Sequence, residues 1–268
     1  MRFFALLLLT AACDSATPPV APTPEPISGF AISGDPTSTT GATWTFKGTY
    51  QGVPYDLQGI LIKPAGSAPY PAVIMSHGFG GSSLNFSRNA GRRFADWGMV
   101  VIATNYTHAA NVPLGAPGSA TERGASAANV ERANMTMRLL ATLDYVDTTR
   151  LAAHGHSMGA FVTTALAAQY GHWFKAASHT AGGVRTDGVV EAAAPTENQA
   201  RTIQVPYQFH HGDRDAVVPL AMAERQHTVM TGTRELHVYP GLDHDDIPMH
   251  PLMLDRVRAW YVRHGILR

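Results

Sequence analysis

The chain is poor in cysteine: one residue, Cys13, in 268. No intramolecular disulfide can form, so a core must hold the fold. It also lacks an excess of either charge, with 20 basic and 20 acidic side chains. Nucleic-acid binding usually leaves a basic footprint, and this composition has none. Membrane attraction through a polybasic patch is equally unsupported. There is no internal repeat. No apolar run reaches the roughly 20 residues that span a bilayer. What remains is a 45% hydrophobic chain, long enough for one sizeable core and by default one domain.

The longest apolar run is at the start, "MRFFALLLLTAAC". One arginine precedes about ten apolar or small residues, the pattern of an export signal over residues 1–12. Cys13 sits where this signal ends and resembles the cysteine of a bacterial lipobox, where it is lipidated and anchors the mature protein. The expectation is an exported cell-envelope lipoprotein. An ordinary secretory signal with an incidental cysteine, giving a periplasmic or secreted protein, is the alternative. Five of the nine residues from Pro18 to Pro26 are proline. Such a segment builds neither helix nor sheet. At about 3.1 Å per residue it could hold a domain roughly 40 Å from a membrane. A tether is therefore expected over 13–40 and the folded domain over 41–268.

From Trp44 onward the chain becomes regular. "TWTFKGTY" and "YDLQGILIKP" alternate as two antiparallel edge strands. "PAVIMSH" and "GMVVIATN" are continuous apolar runs, as expected of strands buried on both faces. The spacing between them predicts a helix over 86–97, and a longer one is predicted over 126–145. "LAAHGH", "FKAASHT", "VPYQFHH" and "ELHVYP" read as four further strands. Helices are expected over 158–170, 219–231 and 250–264, with a poorer one near 190–202. Strand–helix alternation after two edge strands means an α/β fold, a mostly parallel twisted sheet with helices on both faces. Ligands of such sheets bind beyond the carboxyl ends of the strands.

Chemistry-bearing residues lie at those ends. In "LAAHGHSMGAF", Ser157 stands between Gly155 and Gly159 where a strand hands over to a helix. A serine there can simply cap the helix. A sharp strand–turn–helix, however, needs small residues two before and two after, and then leaves the hydroxyl exposed at the tip of the sheet. A serine nucleophile needs a base, a group to orient the base, and oxyanion donors. Asp215 follows the strand in "HHGDRDAVVP", and His244 follows the last strand in "YPGLDHDDIP". Asp213 competes with Asp215, although an aspartate there also suits bonding of turn amides. His210, His211, His237 and His250 compete with His244. Two of them end a strand ahead of the acid, one lies inside a strand, and one starts a helix.

In its Ser157, Asp215, His244 order and its G-x-S-x-G turn the chain resembles an α/β-hydrolase. Through "YPAVIMSHGFGG", "GHSMGA" and "HGDRDAVVP" it is similar to the dienelactone hydrolase-like and secreted bacterial serine esterase groups. The catalytic domain of prolyl oligopeptidases resembles it too. The resemblance covers residue 44 to the end. It implies Ser157 as nucleophile, Asp215 as the acid and His244 as the base. It also implies an oxyanion hole from the backbone N–H groups of Met158 and Phe79, with the Phe79 ring as a pocket wall. True dienelactone hydrolases use a cysteine nucleophile where this chain has Ser157, so the resemblance implies the fold and not the dienelactone substrate.

No metal or cofactor is expected. "LDHDDIPMH" packs acids around His244, but no His-x-x-x-His pair accompanies it, and the triad accounts for His244 without a metal. "HGFGGS" lacks the Lys-Ser or Lys-Thr of a phosphate loop. Only about 25 residues separate "SHT" from "VPYQF", too few for a large lid. An open cleft is expected, suited to short-chain, soluble or polymer-surface esters. Tyr106 and His108, in the loop over 105–125, are expected to line the pocket. A serine peptidase and a catalytically silent surface binding protein are the other readings.

Overall fold

The computed structural model describes residues 29–50, 52–67, 69–110, 122–185 and 193–268. The expected leader, Cys13 and the proline-rich part of the tether lie outside the described residues.

Nine strands form one sheet among these residues. They are β1 (Phe30–Ser33), β2 (Ala42–Tyr50), β3 (Val53–Ile62), β4 (Tyr70–Ser76), β5 (Val100–Thr104), β6 (Val146–His156), β7 (Ala176–Thr180), β8 (Tyr207–Gly212) and β9 (Arg234–Tyr239). Their order is β1-β2-β3-β5-β4-β6-β7-β8-β9. The first three are antiparallel to their neighbours, and β5, β4 and β6 to β9 run parallel. The helices are α1 (Ser83–Phe86), α2 (Arg92–Asp96), α3 (Ala127–Leu140), α4 (Met158–Tyr170), α5 (Glu197–Thr202), α6 (Leu220–Val229) and α7 (Pro251–Arg263). A π turn, Ser87–Gly91, joins α1 to α2.

Two cores sandwich the sheet. One gathers α3 to α6 around Leu61, Ile74, Ile102 and Phe209. The other gathers α2 and α7 around Val73, Met75, Val101 and Trp260. Alternate residues of β4 and β5 serve opposite cores, which is why both strands read as unbroken apolar runs. The strand order reverses around β4, where crossovers leave in both directions, so the space above β4 and β6 is open for a ligand.

Four boundaries differ from the sequence expectation. The tether expected to run to residue 40 ends sooner, because Phe30–Ser33 pairs with Thr43–Phe46 and Phe30 packs on Trp44 and Phe46. The helix expected from 86 begins at Ser83, where the Ser82 hydroxyl accepts from the Asn85 amide. The helix expected to reach 145 stops at Leu140, and Thr142 caps the Leu139 carbonyl. Strand β6 starts at Val146 instead of Leu151, its polar first half running along the sheet with a register irregularity against β4.

The sheet and the loops at its carboxyl end bury His77, His108, His154, His156, His179 and His210. Burial pushes each ring down from an ordinary value near 6.5: His77 to about 4, His108, His154 and His156 to about 3, and His179 and His210 well below the ordinary range. Unfolded, these rings take protons near pH 6.5; folded, they refuse them until far lower. Stability is therefore full above pH 6.5 and is lost as pH falls toward 4. Each ring changes stability by up to about 1.4 kcal/mol per pH unit. Six together rival a typical total of about 5–15 kcal/mol within two units. Urea unfolding followed by tryptophan fluorescence should give a midpoint that drops steeply between pH 6.5 and 5. A midpoint unchanged down to pH 4.5 would show that these rings are not held neutral by the fold.

Candidate active site

The turn between β6 and α4 sets the site. Ser157 has φ 56° and ψ −124°, a conformation that costs a non-glycine residue about 1–3 kcal/mol. Its neighbours cannot carry side chains. A Cβ on Gly155 would sit 2.3 Å from the Gly159 carbonyl oxygen, and one on Gly159 would sit 2.0 Å from the Ser76 carbonyl oxygen. The Ser157 amide donates to Thr180 O (3.0 Å) and its carbonyl accepts from Ala160 N (2.8 Å). Its side chain makes no capping hydrogen bond, so the helix-cap reading does not describe it.

The hydroxyl is used elsewhere. Ser157 Oγ–H donates to His244 Nε2 at 2.8 Å, and His244 Nδ1–H donates to Asp215 Oδ2 at 2.8 Å. The Asp215 Oδ1 atom accepts from the amides of Val217 (2.9 Å) and Val218 (2.8 Å). Both histidine nitrogens are thus engaged, one as donor and one as acceptor. His211 stands behind the acid, its Nε2 3.3 Å from Asp215 Oδ2 and 2.8 Å from Val218 O. Burial opposes ionisation of Asp215. The hydrogen bonds from His211, His244 and Val218 outweigh it and hold the carboxyl well below the usual carboxylate range. Asp213 instead accepts from the Gly241 amide (2.7 Å) and fixes a turn.

The loop after β4 abuts the serine: a Cβ on Gly78 would lie 3.2 Å from Ser157 Cβ. The backbone N–H groups of Phe79 and Met158 have no acceptor among the described residues, which leaves both able to bind an oxyanion. Beside them opens a cleft of about 470 Å³. Its walls include Phe86 and Asn85 from α1, and Phe79, Val217 and Met249 at its mouth. These last three are exposed by 58%, 68% and 39%, an unusual amount of apolar surface around one opening. His156, His244 and Asp245 also face the cleft, with ligand atoms within 4.8 Å of one another.

Tyr106 and His108, expected in the pocket wall, lie behind it. Both are buried and neither lines the cleft. The chain after β5 folds inward because it supports the loop after β4. Gly80 N donates to His108 O (3.0 Å) and Ala110 N to Gly81 O (3.1 Å). His108 Nε2–H donates to His77 O (3.1 Å), and its Nδ1 faces Asn129 Nδ2 at 3.4 Å. Asn129 Oδ1 accepts from Thr107 N (3.0 Å), and its Nδ2 also donates to Gly124 O (3.0 Å). Tyr106 OH pairs with Ser76 Oγ (2.8 Å), and the Tyr106 amide donates to His77 Nε2 (3.2 Å). Sequence reasoning missed Asn129, Asn85, Phe86, Val217 and Met249. A lone asparagine near the start of a long helix was the one available signal for Asn129.

A parallel sheet that presents a serine on such a turn, hydrogen-bonded through histidine to aspartate, is that of an α/β-hydrolase. The model of the dienelactone hydrolase family matches residues 57–245, and the chain belongs to that family. It is a hydrolase. No curated protein sequence matches it. Among solved structures it is similar to a cold-adapted esterase from an Arctic intertidal metagenomic library, with TM-score 0.65 and 16% identity over 85% of this chain and 94% of that one. It is also similar to a thermophilic esterase from the Planctomycetes species Thermogutta terrifontis, with TM-score 0.60 and 17% identity over 82% and 93%. The third is an S-formylglutathione hydrolase from Agrobacterium tumefaciens, with TM-score 0.63 and 17% identity over 87% and 99%.

Asn129 touches no part of the cleft, yet it ties three segments that hold the Phe79 loop. Asn129→Ala should lower kcat by about 10–100-fold, the cost of a misplaced oxyanion donor, with KM nearly unchanged. Steady-state kinetics beside a circular dichroism check of folding would test this. A folded variant with wild-type kcat would remove Asn129 from the positioning of that loop.

Proposed function

We propose that the chain is a serine carboxylic ester hydrolase that works through an acyl-enzyme. The observation that carries this reading is the unbroken hydrogen-bond chain from Ser157 Oγ through His244 to Asp215, on a serine that caps nothing. Neutral His244 takes the Ser157 proton through Nε2 as Oγ attacks the ester carbonyl. The imidazolium so formed faces the ionised Asp215, which also fixes the tautomer. The carbonyl oxygen, now an oxyanion, is received by the N–H groups of Phe79 and Met158. His244 returns the proton to the leaving alkoxide. Water then repeats the sequence and frees the acid.

The apolar mouth formed by Phe79, Val217 and Met249 supports esters whose acyl or alcohol part is apolar, whether short and soluble or displayed on a polymer surface. The Thermogutta esterase of the same fold is described with butyrate bound and, separately, phosphorylated by paraoxon. This agrees with a short acyl group and a reactive serine here.

Ser157→Ala should keep the fold and lower the rate on nitrophenyl esters by roughly 10⁴ to 10⁶. It should also abolish covalent labelling by an organophosphonate. Asp215→Asn should lose about 10⁴, whereas Asp213→Asn should keep turnover. An alanine variant with a tenth of wild-type turnover would exclude Ser157 as nucleophile. Faster cleavage of aminopeptidase substrates than of any ester in a panel of rising acyl length would replace the esterase reading with a peptidase.

The reading extends to location. An export signal followed by Cys13 and a proline-rich tether supports attachment of the domain to a cell envelope through a lipidated cysteine, since two or more acyl chains anchor stably. The native protein should then partition with membranes and Cys13→Ala should release it. A fully soluble native protein with an unmodified Cys13 would end this part of the proposal.

A further inference from the structure

We propose that His156, His244 and Asp245 form a binding site for a divalent transition-metal ion of the zinc class, and that occupancy switches the hydrolase off.

His156 is the last residue of β6, directly before Ser157, and the ester reading gives it no chemical step. It is nonetheless built into the cleft wall. Its Nδ1 is held by Thr180 Oγ1 at 2.9 Å, and its ring lies with its centroid 4.9 Å from that of His244 and 6.5 Å from that of Phe86. With Nδ1 engaged, Nε2 is the nitrogen left for a ligand. The residue is largely buried yet lines the cleft, and the Thr180 contact holds the ring in place.

His244 supplies the second nitrogen. Its Nδ1 is committed to Asp215, so Nε2 is again the free lone pair whenever the Ser157 hydroxyl turns away. Asp245 supplies an oxygen. It is exposed, next in the chain to His244, and its carboxylate has no partner among the described residues. The ligand atoms lie within 4.8 Å of one another. Tetrahedral zinc holds nitrogen and oxygen at about 2.0–2.2 Å, which sets its ligands roughly 3.4 Å apart. Closing the set takes at most about 1.4 Å of movement between any two ligand atoms, and the exposed Asp245 carboxylate is the one with most freedom to move. Two imidazoles and one carboxylate suit zinc, copper or nickel far better than magnesium or calcium.

The consequence follows from one lone pair. His244 Nε2 can take the proton of Ser157 or bind a metal ion, not both. A bound ion removes the base and sits in front of the nucleophile. Inhibition should be reversible.

The test uses untagged full-length protein. Zinc should inhibit ester hydrolysis along a single-site curve, chelator should restore the rate, and magnesium should do nothing. Isothermal calorimetry should give one zinc per chain, and cobalt should produce the visible bands of a tetrahedral site; both readouts stand whether or not the ester assignment does. Asp245→Asn, compared with its own zinc-free rate, should need at least about tenfold more zinc for half-inhibition. His156→Phe, which keeps the ring, should lose zinc binding in calorimetry as well. Absence of zinc binding by the wild type, wild-type zinc affinity in either variant, or equal inhibition by magnesium would each overturn the proposal.

Discussion

A serine hydroxyl stands clear of a parallel sheet only if the chain reverses within a single residue between strand and helix. At Ser157 that reversal is made with a positive φ that no other residue of β6 or α4 adopts. The strain is held because everything around it is packed against backbone. Gly159 lies on the Ser76 and His77 carbonyls, close enough that one methyl group would meet both. That contact joins the first turn of α4 to the end of β4, and β4 leads directly into the loop carrying Phe79. The two amides available to an oxyanion are therefore placed by the same contact that bends the serine. Relaxing the turn would move the hydroxyl and the donors together.

The buried polar groups behind this turn follow from that demand. A loop carried over the end of a sheet must satisfy its own amides and carbonyls, since an unpaired buried group costs about 1–3 kcal/mol. Side chains of the segment after β5 and of α3 meet the requirement. His77 and His108 each act as donor at one nitrogen and acceptor at the other. That arrangement works only for neutral imidazole, and burial enforces neutrality. A protonated ring would present two donors where one acceptor is required. On β6 and β7 a buried imidazole is held at one nitrogen only: His154 Nδ1 pairs with Ser178, which in turn meets Tyr261 of α7.

How much of this could be read beforehand depends on where each residue lies. Ser157, Asp215 and His244 were legible because each follows an apolar strand and sits among glycines or turn formers, a local pattern that survives folding. The parallel sheet was legible for the same reason. Tyr106 and His108 were misplaced because a polar, irregular loop ordinarily runs over the surface, and nothing local reveals that this one turns inward to hold its neighbour. Strand β1 escaped because "FAIS" is too short to show alternation and follows a proline-rich run; its pairing with β2 is a tertiary fact. Val217 and Met249 look like ordinary loop residues. Only the return of their loops to the rim of one cleft makes an apolar mouth of them.

The charges around His244 complete the picture. Asp215 is the one buried carboxylate beside it, and its ionised form is secured by two amides and by His211 as well as by His244 itself. Four donors for one carboxylate is more than orientation of a ring requires. In the proposed reaction the surplus keeps the carboxylate negative while a positive charge grows on His244, 2.8 Å away, and then vanishes. His156, whose ring is 4.9 Å from that of His244, would oppose the growing charge if it carried one of its own. Its burial keeps it neutral, so an imidazolium formed at His244 in the proposed reaction would meet one fixed negative charge, Asp215, and no fixed positive one among its buried neighbours. His156, the residue before Ser157, would thus have to stay uncharged in the proposed reaction, and two neighbouring imidazoles are an arrangement that a metal ion can bridge.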